Sequence, residues 1–290
     1  MRVAYLGLGN LGGPLCDAVI EAGHDVAVFD PYEPAVAPRV AAGARRASSP
    51  ADASQGADVV IVMVRDDAQA TAAVLGPDGV LTAAGPGLAV VLHSTVAPMT
   101  VRALHGACAA AGVPFIDVGV SAGSGRRPRA IYAMCGGDPD VIDRVRPVLR
   151  AYCRDIVRFG DVGAGMAAKL ARNAIRYAIF GAMHEGFALA EAAGLDLDAM
   201  AHLYRGTFGT CADDEAVLGR DTMRPLDPDD PAADPERIVS LRAMVTLGWK
   251  DLDDAFHLAD ELGVAMPIAQ AAKRAYGPAM GVALEPPAVA

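Results

Sequence analysis

The sequence lacks the features that mark disulfide-rich proteins and membrane proteins. Its five cysteines are widely spaced and include no Cys-x-x-Cys pair, a pattern typical of reduced thiols. No stretch of 18 apolar residues is present, so the sequence predicts no transmembrane helix. The amino terminus enters an apolar stretch at Val3 without the charged head and cleavage site of a secretory leader. We therefore expect a cytoplasmic protein that does not bind a membrane.

Positive charge is also scarce. The 25 Lys and Arg residues are outnumbered by 35 Asp and Glu residues, and the formal net charge is −10. Because a nucleic-acid-binding face needs clustered Lys and Arg side chains, we expect no nucleic-acid partner. The six histidines show neither a His-x-x-x-His nor a His-Glu-x-x-His spacing, so the sequence predicts no metal site.

An alternation of short apolar runs and helical patterns fills the first half of the chain. Some of these runs are apolar at every position, such as Val-Val-Ile-Val-Met-Val at 59–64. Such runs are typical of parallel strands that helices cover on both faces, so the pattern predicts a doubly wound α/β sheet. The predicted strands are 3–6, 25–29, 59–64, 88–92 and 115–118.

The pattern changes near residue 160, where a glycine-rich break precedes a helical stretch over 166–193. A helix of this length measures about 40 Å and can join two domains. The remaining sequence is helical in pattern, so we expect a first domain over 1–162 and an all-α domain over 163–290. Four prolines and four aspartates at 225–235 predict an exposed loop, which either covers a cleft between the domains or is peripheral.

A Gly-x-Gly-x-x-Gly sequence follows the first predicted strand and opens the first helix, which is the context that a dinucleotide-binding turn requires. Gly7 permits the tight turn, Gly9 lets the backbone approach a pyrophosphate, and Gly12 lets helix and strand pack closely. The amino terminus of the helix then offers free N–H groups to the phosphates. The pattern predicts a Rossmann-type domain whose cofactor-binding turn consists of Gly7, Leu8, Gly9, Asn10, Leu11 and Gly12.

Asp30 ends the second predicted strand, 18 residues beyond Gly12. A carboxylate at this position accepts hydrogen bonds from the adenosine ribose and repels a 2′-phosphate. Pro31 stands where an enzyme that binds NADP often has an arginine, so we expect NAD rather than NADP. The ends of two later strands are expected to complete the cofactor site with Val62, Met63, Val64, Ser94 and Thr95.

Three further segments have a distinct pattern: 117–123 at the end of a strand, 163–173 at the start of the long helix, and 249–252 in the second domain. With these segments and the glycine-rich turn, the chain resembles the β-hydroxyacid dehydrogenases over nearly its whole length. That family includes 3-hydroxyisobutyrate dehydrogenase, tartronate semialdehyde reductase and, more distantly, 6-phosphogluconate dehydrogenase. The resemblance implies a Rossmann-type domain, an all-α domain and a homodimer or homotetramer.

The resemblance also implies roles for single residues. Lys169 is the expected proton carrier, and Asn173, one helical turn later, is expected to orient Lys169 or the substrate hydroxyl. Lys250 is expected to lie near the cofactor. Ser121 is expected to belong to the catalytic group and to bind the substrate carboxylate. The substrate-binding segment as a whole consists of Ser121, Ala122 and Gly123.

Two departures from the family pattern concern this segment: Ala122 replaces a usual glycine, and Gly119 replaces a usual proline. Three arginines follow it closely. They either bind a second anionic group on the substrate or form a solvated loop that contacts the acidic stretch 227–234 of a partner subunit. These residues are Arg126, Arg127 and Arg129.

The function implied by the resemblance is hydride transfer between NAD and a small 3-hydroxy acid, similar to 3-hydroxyisobutyrate, or its semialdehyde. Two alternatives share the scaffold, namely an imine reductase-like enzyme that uses NAD(P)H and a non-catalytic NAD-binding protein. The presence of both Lys169 and Asn173 argues against these alternatives.

Overall fold

The computed structural model describes most of the chain, namely residues 1–122, 131–207, 226 and 234–284. The chain forms two compact units, Met1–Ala174 and Ile175–Ala290. The domain boundary expected near residue 162 stays a prediction. None of the described helices is both long enough and apolar enough to span a membrane.

Among the described residues, the first unit contains one sheet of eight strands. The strands are β1 (Arg2–Leu6), β2 (Asp25–Phe29), β3 (Arg45–Arg46), β4 (Val59–Val62), β5 (Ala89–Leu92), β6 (Phe115–Ala122), β7 (Ile131–Gly136) and β8 (Cys153–Gly160). Their order across the sheet is β3-β2-β1-β4-β5-β6-β7-β8, and neighbours are parallel except for β6 and β7, which are antiparallel. The part from β3 to β6 has the doubly wound topology that the sequence predicts.

Helices connect the strands and make up the second unit. The first unit contains α1 (Gly12–Glu21), α2 (Glu33–Ala41), α3 (Pro50–Ser54), α4 (Asp67–Leu75), α5 (Pro98–Ala110), α6 (Pro139–Leu149) and the start of α7 (Ala164–Ala192). The second unit contains the rest of α7, α8 (Leu197–Thr207), α9 (Pro235–Leu262) and α10 (Pro267–Ala279). Every regular element described in the second unit is a helix, so the expected all-α part is confirmed.

Apolar side chains cover both faces of the sheet. In β4, Val59 and Ile61 belong to one core layer, and Val60 and Val62 belong to the other. All four are fully buried, because successive residues of a strand point to opposite faces and helices cover each face. Burial of each such side chain stabilises the fold by roughly 1.5–3 kcal/mol. The run of apolar residues is therefore the cause of the central position of this strand.

The strand β6 is longer than the sequence predicts. The apolar pattern indicates a strand over 115–118 followed by a loop, whereas β6 continues to Ala122. Gly119, Val120, Ser121 and Ala122 therefore lie in a strand, and the predicted loop is wrong at these four positions. The extension forms because β7 pairs with it, with Ser121 opposite Tyr132 and Ala122 opposite Ile131.

Candidate active site

The glycine-rich turn between β1 and α1 is shaped by close backbone contacts. Gly7 has a φ of +95°, and a Cβ there would lie 2.2 Å from the Met63 carbonyl oxygen. A Cβ on Gly12 would lie 2.4 Å from the Gly7 carbonyl oxygen. A Cβ on Gly9 would meet no described atom within 4 Å, so this face of the turn is open. An open backbone at the amino terminus of α1 is what a pyrophosphate requires, so the turn fits a dinucleotide.

Asp30 joins the end of β2 to the glycine-rich turn. Its Oδ2 accepts a hydrogen bond from the Leu8 N–H at 2.7 Å, and its Oδ1 accepts one from the Tyr32 N–H at 2.8 Å. Each carboxylate oxygen keeps a further lone pair for a ribose hydroxyl. Asp30, the residue predicted to bind the ribose, therefore also holds the glycine-rich turn in place. The sequence alone does not suggest this second role.

The ends of β4 and β5 lie at the same edge of the sheet as the glycine-rich turn, because β1, β4 and β5 run parallel. Val64 donates its N–H to Ser94 Oγ at 2.8 Å and so links the two strand ends. Met63 and Val64 are half-buried, and Thr95 is exposed. Met63, Val64 and Thr95 thus lie at this edge, and their contact with a cofactor stays a prediction, whereas Val62 is buried in the core.

Lys169 lies on α7 against the backbone of β6. Its Nζ donates a hydrogen bond to the carbonyl oxygen of Val120, the residue before Ser121. A Cβ built on Gly119 would lie 2.6 Å from Lys169 Cβ, so the absence of a side chain at 119 makes room for the lysine. Ser121 is buried, with 8% of its surface exposed. The structure thus brings Lys169 to the strand segment that contains Ser121.

This segment of β6 extends past the end of the neighbouring strand. β5 and β6 are parallel, and Leu92, the last residue of β5, pairs with Asp117. The four residues between Asp117 and Ala122 therefore lie beyond the end of β5, at the edge that contains the glycine-rich turn. Ser121 and the contact of Lys169 with Val120 accordingly lie at the sheet edge where the cofactor is expected.

Ser121 also lies within a Gly-x-Ser-x-Gly sequence, which occurs in the nucleophile elbow of many hydrolases. That elbow is a sharp turn between a strand and a helix. Ser121 instead lies inside β6, paired with Tyr132 of the antiparallel β7. The strand context therefore does not support a hydrolase nucleophile at this position.

Asn173 follows Lys169 by one turn of α7. Its Oδ1 accepts a hydrogen bond from Arg172 Nη1 at 3.2 Å. This hydrogen bond orients the amide, whose NH₂ group supplies two donors for a ligand. The sequence analysis does not assign a role to Arg172, which adds a second cation to this turn of the helix.

Asp117 is a fully buried carboxylate in β6. Its Oδ1 accepts a hydrogen bond from the Gly163 N–H at 2.7 Å, and its Oδ2 accepts one from the Met166 N–H at 2.6 Å. Burial raises the pKa of Asp117, and these backbone N–H groups oppose the shift. The sequence motifs do not identify Asp117 as a functional candidate. Its position inside an apolar strand is the feature of the sequence that indicates a role, because a buried charge needs hydrogen-bond partners.

His93 follows β5 and forms a second buried polar group that the sequence analysis misses. Its Nδ1 lies 2.7 Å from the Val118 carbonyl oxygen, so this nitrogen bears the proton. Its Nε2 then accepts a hydrogen bond from the Tyr152 hydroxyl at 2.7 Å. Burial lowers the pKa of His93 to about 4. The neutral imidazole thus links β6 to the residue that precedes β8.

Some predicted residues fall outside the described part of the chain. Lys250 lies on α9, but its side chain is not described. Of the segment 225–235, the structure describes only Leu226, Asp234 and Pro235. Within the described ranges, no group of three His, Cys, Asp or Glu side chains could hold a metal ion. The remaining residues outside the described ranges are Gly123, Arg126, Arg127 and Arg129.

Two family profiles match the chain. Residues 2–163 match the profile described as the NAD-binding domain of 6-phosphogluconate dehydrogenase. Residues 163–283 match the profile described as NAD-binding of NADP-dependent 3-hydroxyisobutyrate dehydrogenase. Together the two profiles cover most of the chain, in the order that the sequence motifs predict.

Known relatives agree with these profiles. The chain is 36% identical to an NAD-dependent L-serine dehydrogenase of Pseudomonas aeruginosa, over 72% of this chain and 70% of that protein. A solved oxidoreductase structure from Mycobacterium avium 104 is 32% identical with a TM-score of 0.82, over 97% of this chain and 99% of that one. The structure of Mycobacterium tuberculosis 3-hydroxyisobutyrate dehydrogenase with L-serine is 29% identical with a TM-score of 0.61, over 94% and 91%.

Imine reductases share the fold. The V8 variant of the imine reductase from Myxococcus stipitatus has a TM-score of 0.75 and 20% identity, over 94% of this chain and 91% of that one. At this identity the likeness concerns the fold alone. The two family profiles and the L-serine dehydrogenase at 36% identity carry the assignment. The chain belongs to the family of NAD-dependent β-hydroxyacid dehydrogenases that includes 3-hydroxyisobutyrate dehydrogenase.

Proposed function

We propose that the chain catalyses the reversible NAD-linked oxidation of a small 3-hydroxy acid, similar to 3-hydroxyisobutyrate, to its semialdehyde. The observation that carries this proposal is the contact of Lys169 with the β6 backbone immediately before Ser121. The contact brings a proton carrier to Val120, the residue before Ser121, whose hydroxyl can bind a carboxylate. It lies at the sheet edge that contains the glycine-rich turn. NAD⁺ bound at that edge supplies the hydride acceptor, its nicotinamide ring.

Lys169 moves the proton in the proposed reaction. During oxidation, neutral Nζ accepts the proton of the substrate hydroxyl as the hydride leaves the same carbon. During reduction, the Nζ ammonium donates that proton to the carbonyl oxygen of the semialdehyde. The hydrogen bond to the Val120 carbonyl oxygen holds Nζ at a fixed position along β6, which favours proton transfer because the reacting groups are already oriented.

Ser121 and Asn173 orient the substrate in this proposal. The Ser121 hydroxyl donates a hydrogen bond to the substrate carboxylate. The NH₂ group of Asn173 donates one to the substrate hydroxyl oxygen, and the hydrogen bond from Arg172 orients this amide. Hydrogen bonds to a charged acceptor are stronger than those between neutral groups, so the carboxylate is the natural anchor of the substrate.

L-serine is a second candidate substrate. One relative is an NAD-dependent L-serine dehydrogenase, and one solved 3-hydroxyisobutyrate dehydrogenase structure includes L-serine. L-serine is itself a 3-hydroxy acid, so the same proton carrier and carboxylate anchor would serve it. The difference lies at C2, where L-serine has an ammonium group and 3-hydroxyisobutyrate has a methyl group.

The substrate is tested by NADH formation with a panel of hydroxy acids, each assayed with NAD and with NADP. The panel contains 3-hydroxyisobutyrate, 3-hydroxypropionate, glycerate, L-serine, sulfonated analogues and aryl-substituted 3-hydroxy acids. We expect activity with NAD and the highest kcat/KM for a small 3-hydroxy acid. Preference for a substrate with a second anion would assign a role to the arginines at 126, 127 and 129. The absence of activity with every hydroxy acid of the panel, with NADH binding intact, would contradict the proposal and favour imine reduction or a non-catalytic role.

The role of Lys169 is tested with Lys169→Ala and Lys169→Arg. Both variants are expected to lose at least about a hundredfold in kcat, because general acid–base catalysis contributes 10²–10⁴-fold and an arginine does not give up its proton. The Kd for NADH, measured by fluorescence, should stay within about twofold. Arg144→Ala removes an exposed cation that donates to the Gly87 carbonyl oxygen and serves as the control. Full turnover in Lys169→Ala would show that another group moves the proton.

A further inference from the structure

The buried carboxylate of Asp117 has no part in the reaction proposed above, yet it connects β6 to α7. Its two oxygens accept hydrogen bonds from Gly163 and Met166, at the amino-terminal end of the helix that contains Lys169. The side chain has no exposed surface, so it does not face a substrate or cofactor. Whatever Asp117 contributes must therefore act through the residues that it holds.

Two glycines allow this close approach of helix and sheet. A Cβ on Gly136 would lie 2.5 Å from Asp117 Oδ1. A Cβ on Gly165 would lie 2.4 Å from the Met134 carbonyl oxygen and 2.5 Å from that of Asp117. Side chains at these positions would push α7 away from β6. The carboxylate and the two glycines therefore form one packed junction that sets the distance between the helix and the strand.

We propose that Asp117 is a positioning residue that fixes α7 against β6 so that Lys169 reaches the Val120 carbonyl oxygen. Lys169 follows Met166 by about one turn, so a shift or rotation of this end of α7 moves the lysine directly. The first turn of α7 contains no acidic residue of its own, and Asp117 supplies that charge from the neighbouring strand. The inference rests on the proposed function, because it assumes that Lys169 moves the proton.

A cap that only stabilises its helix is the rival explanation, and the chain offers a matched control for it. Asp138 caps α6 by accepting a hydrogen bond from the Asp140 N–H at 2.8 Å. α6 contains none of the residues proposed to bind substrate or cofactor. Asp138→Asn keeps an acceptor oxygen but removes the charge, so it should weaken this cap and lower the melting temperature without changing turnover.

The experiment compares Asp117→Asn, Lys169→Ala, the double variant and Asp138→Asn in the full chain. The measurements are the melting temperature, the Kd for NADH, kcat and KM. We expect Asp117→Asn to lower kcat by about ten- to a hundredfold, since a small misplacement of a catalytic group has effects of this size. Its Kd for NADH should stay within about twofold. In the Lys169→Ala background, Asp117→Asn should cause no further loss of the residual kcat. Both substitutions remove the same contribution to kcat, namely proton transfer by a correctly placed Lys169.

Four results would overturn the inference. An unchanged kcat in Asp117→Asn would show that Asp117 only stabilises its helix. Equal effects of Asp117→Asn and Asp138→Asn on kcat would lead to the same conclusion. A loss of residual kcat that multiplies in the double variant would show that Asp117 acts independently of Lys169. Full turnover in Lys169→Ala would remove the proposed function of the lysine together with the inference. If Asp117→Asn does not fold, Asp117→Ser, whose hydroxyl caps one N–H, takes its place with the same expectations.

Discussion

His93 illustrates how a single buried residue makes the stability of the first unit depend on pH. Burial lowers the pKa of the imidazole from 6.5 to about 4, so the folded protein keeps it neutral where the unfolded chain already binds a proton. The unfolded state then holds more protons than the folded state between these two pH values. Stability contributed by the neutral histidine is therefore complete above pH 6.5 and is lost progressively as the pH falls toward 4.

We predict that His93 alone makes the protein about 2 kcal/mol less stable at pH 5 than at pH 7, as follows from the linkage between proton binding and folding. The measurement is denaturant unfolding at both pH values, for the wild type and for His93→Gln. The variant should lose most of this pH dependence, although its stability at pH 7 is lower. His105→Gln, which changes an exposed histidine, is the control and should behave as the wild type. An unchanged pH dependence in His93→Gln would contradict the prediction.

The sequence predicts the residues whose role follows from local spacing and misses those whose role depends on distant partners. Lys169 and Asn173 are recognisable because they are one helical turn apart within a family motif. The hydrogen-bond donors to Asp117 lie 46 and 49 residues away along the chain, and Tyr152 lies 59 residues from His93. No local pattern indicates such pairs. What the sequence does show is a polar residue next to or inside an apolar run, which predicts a partner without naming it.

At the scale of elements, the sequence predicts strands that are buried on both faces and misses those that are not. The five predicted strands are all present, because continuous apolar runs belong to the centre of the sheet. β8 escapes prediction since it is an edge strand with exposed residues over most of its length. β3 escapes prediction because it has only two residues. β7 is an exception, because the sequence misses it although five of its six residues are buried. The end of β6, which pairs with β7, contains small residues that interrupt the apolar pattern.

Glu185 joins two helices of the second unit in a way that resembles the junction at Asp117. It is buried on α7, and its two oxygens accept hydrogen bonds from the N–H groups of Ile268 and Ala269, at 2.7 and 2.9 Å. These residues begin α10, whose own preceding residue, Met266, makes no side-chain cap. The carboxylate thus satisfies backbone donors that have no partner within the helix, and its charge interacts favourably with the positive end of the helix.

We predict that Glu185→Gln destabilises the second unit by about 1.5–3 kcal/mol, the usual value of hydrogen bonds to a charged group. Trp249, the single tryptophan of the chain, reports on this unit because its Nε1 donates to the Lys273 carbonyl oxygen of α10 at 2.9 Å. Unfolding monitored by tryptophan fluorescence should therefore shift to lower denaturant concentration. Glu191→Gln changes an exposed carboxylate of the same helix and should have no effect. Equal stability of the two variants would refute the role of Glu185.

At the scale of the whole molecule, the second unit leaves large apolar side chains exposed. On α7, Ile175 and Ile179 are four residues apart on one helical face and are 63% and 47% exposed. Among the described residues of this unit, three further large apolar side chains are more than half exposed, namely Leu195, Leu203 and Val239. A group of exposed apolar residues on one part of a protein is typical of a surface that another chain covers. The homodimer or homotetramer expected from the family resemblance would supply such a cover.

We predict that the 29.8 kDa chain is a homodimer or homotetramer in solution and that Ile175→Glu shifts it toward the monomer. Burial of an unpaired charge in an apolar interface costs on the order of several kcal/mol of binding free energy. The association constant should therefore fall by at least about a hundredfold. Light scattering coupled to size-exclusion chromatography gives the mass of each variant across a range of concentrations. Val157→Glu introduces the same charge at an exposed apolar residue of the first unit and should leave the mass unchanged. A monomeric wild type, or an Ile175→Glu variant with the wild-type mass at every concentration, would exclude α7 from the interface. In that case the exposed face of α7 would need a different occupant, because water alone is a poor partner for two isoleucines on one face of a helix.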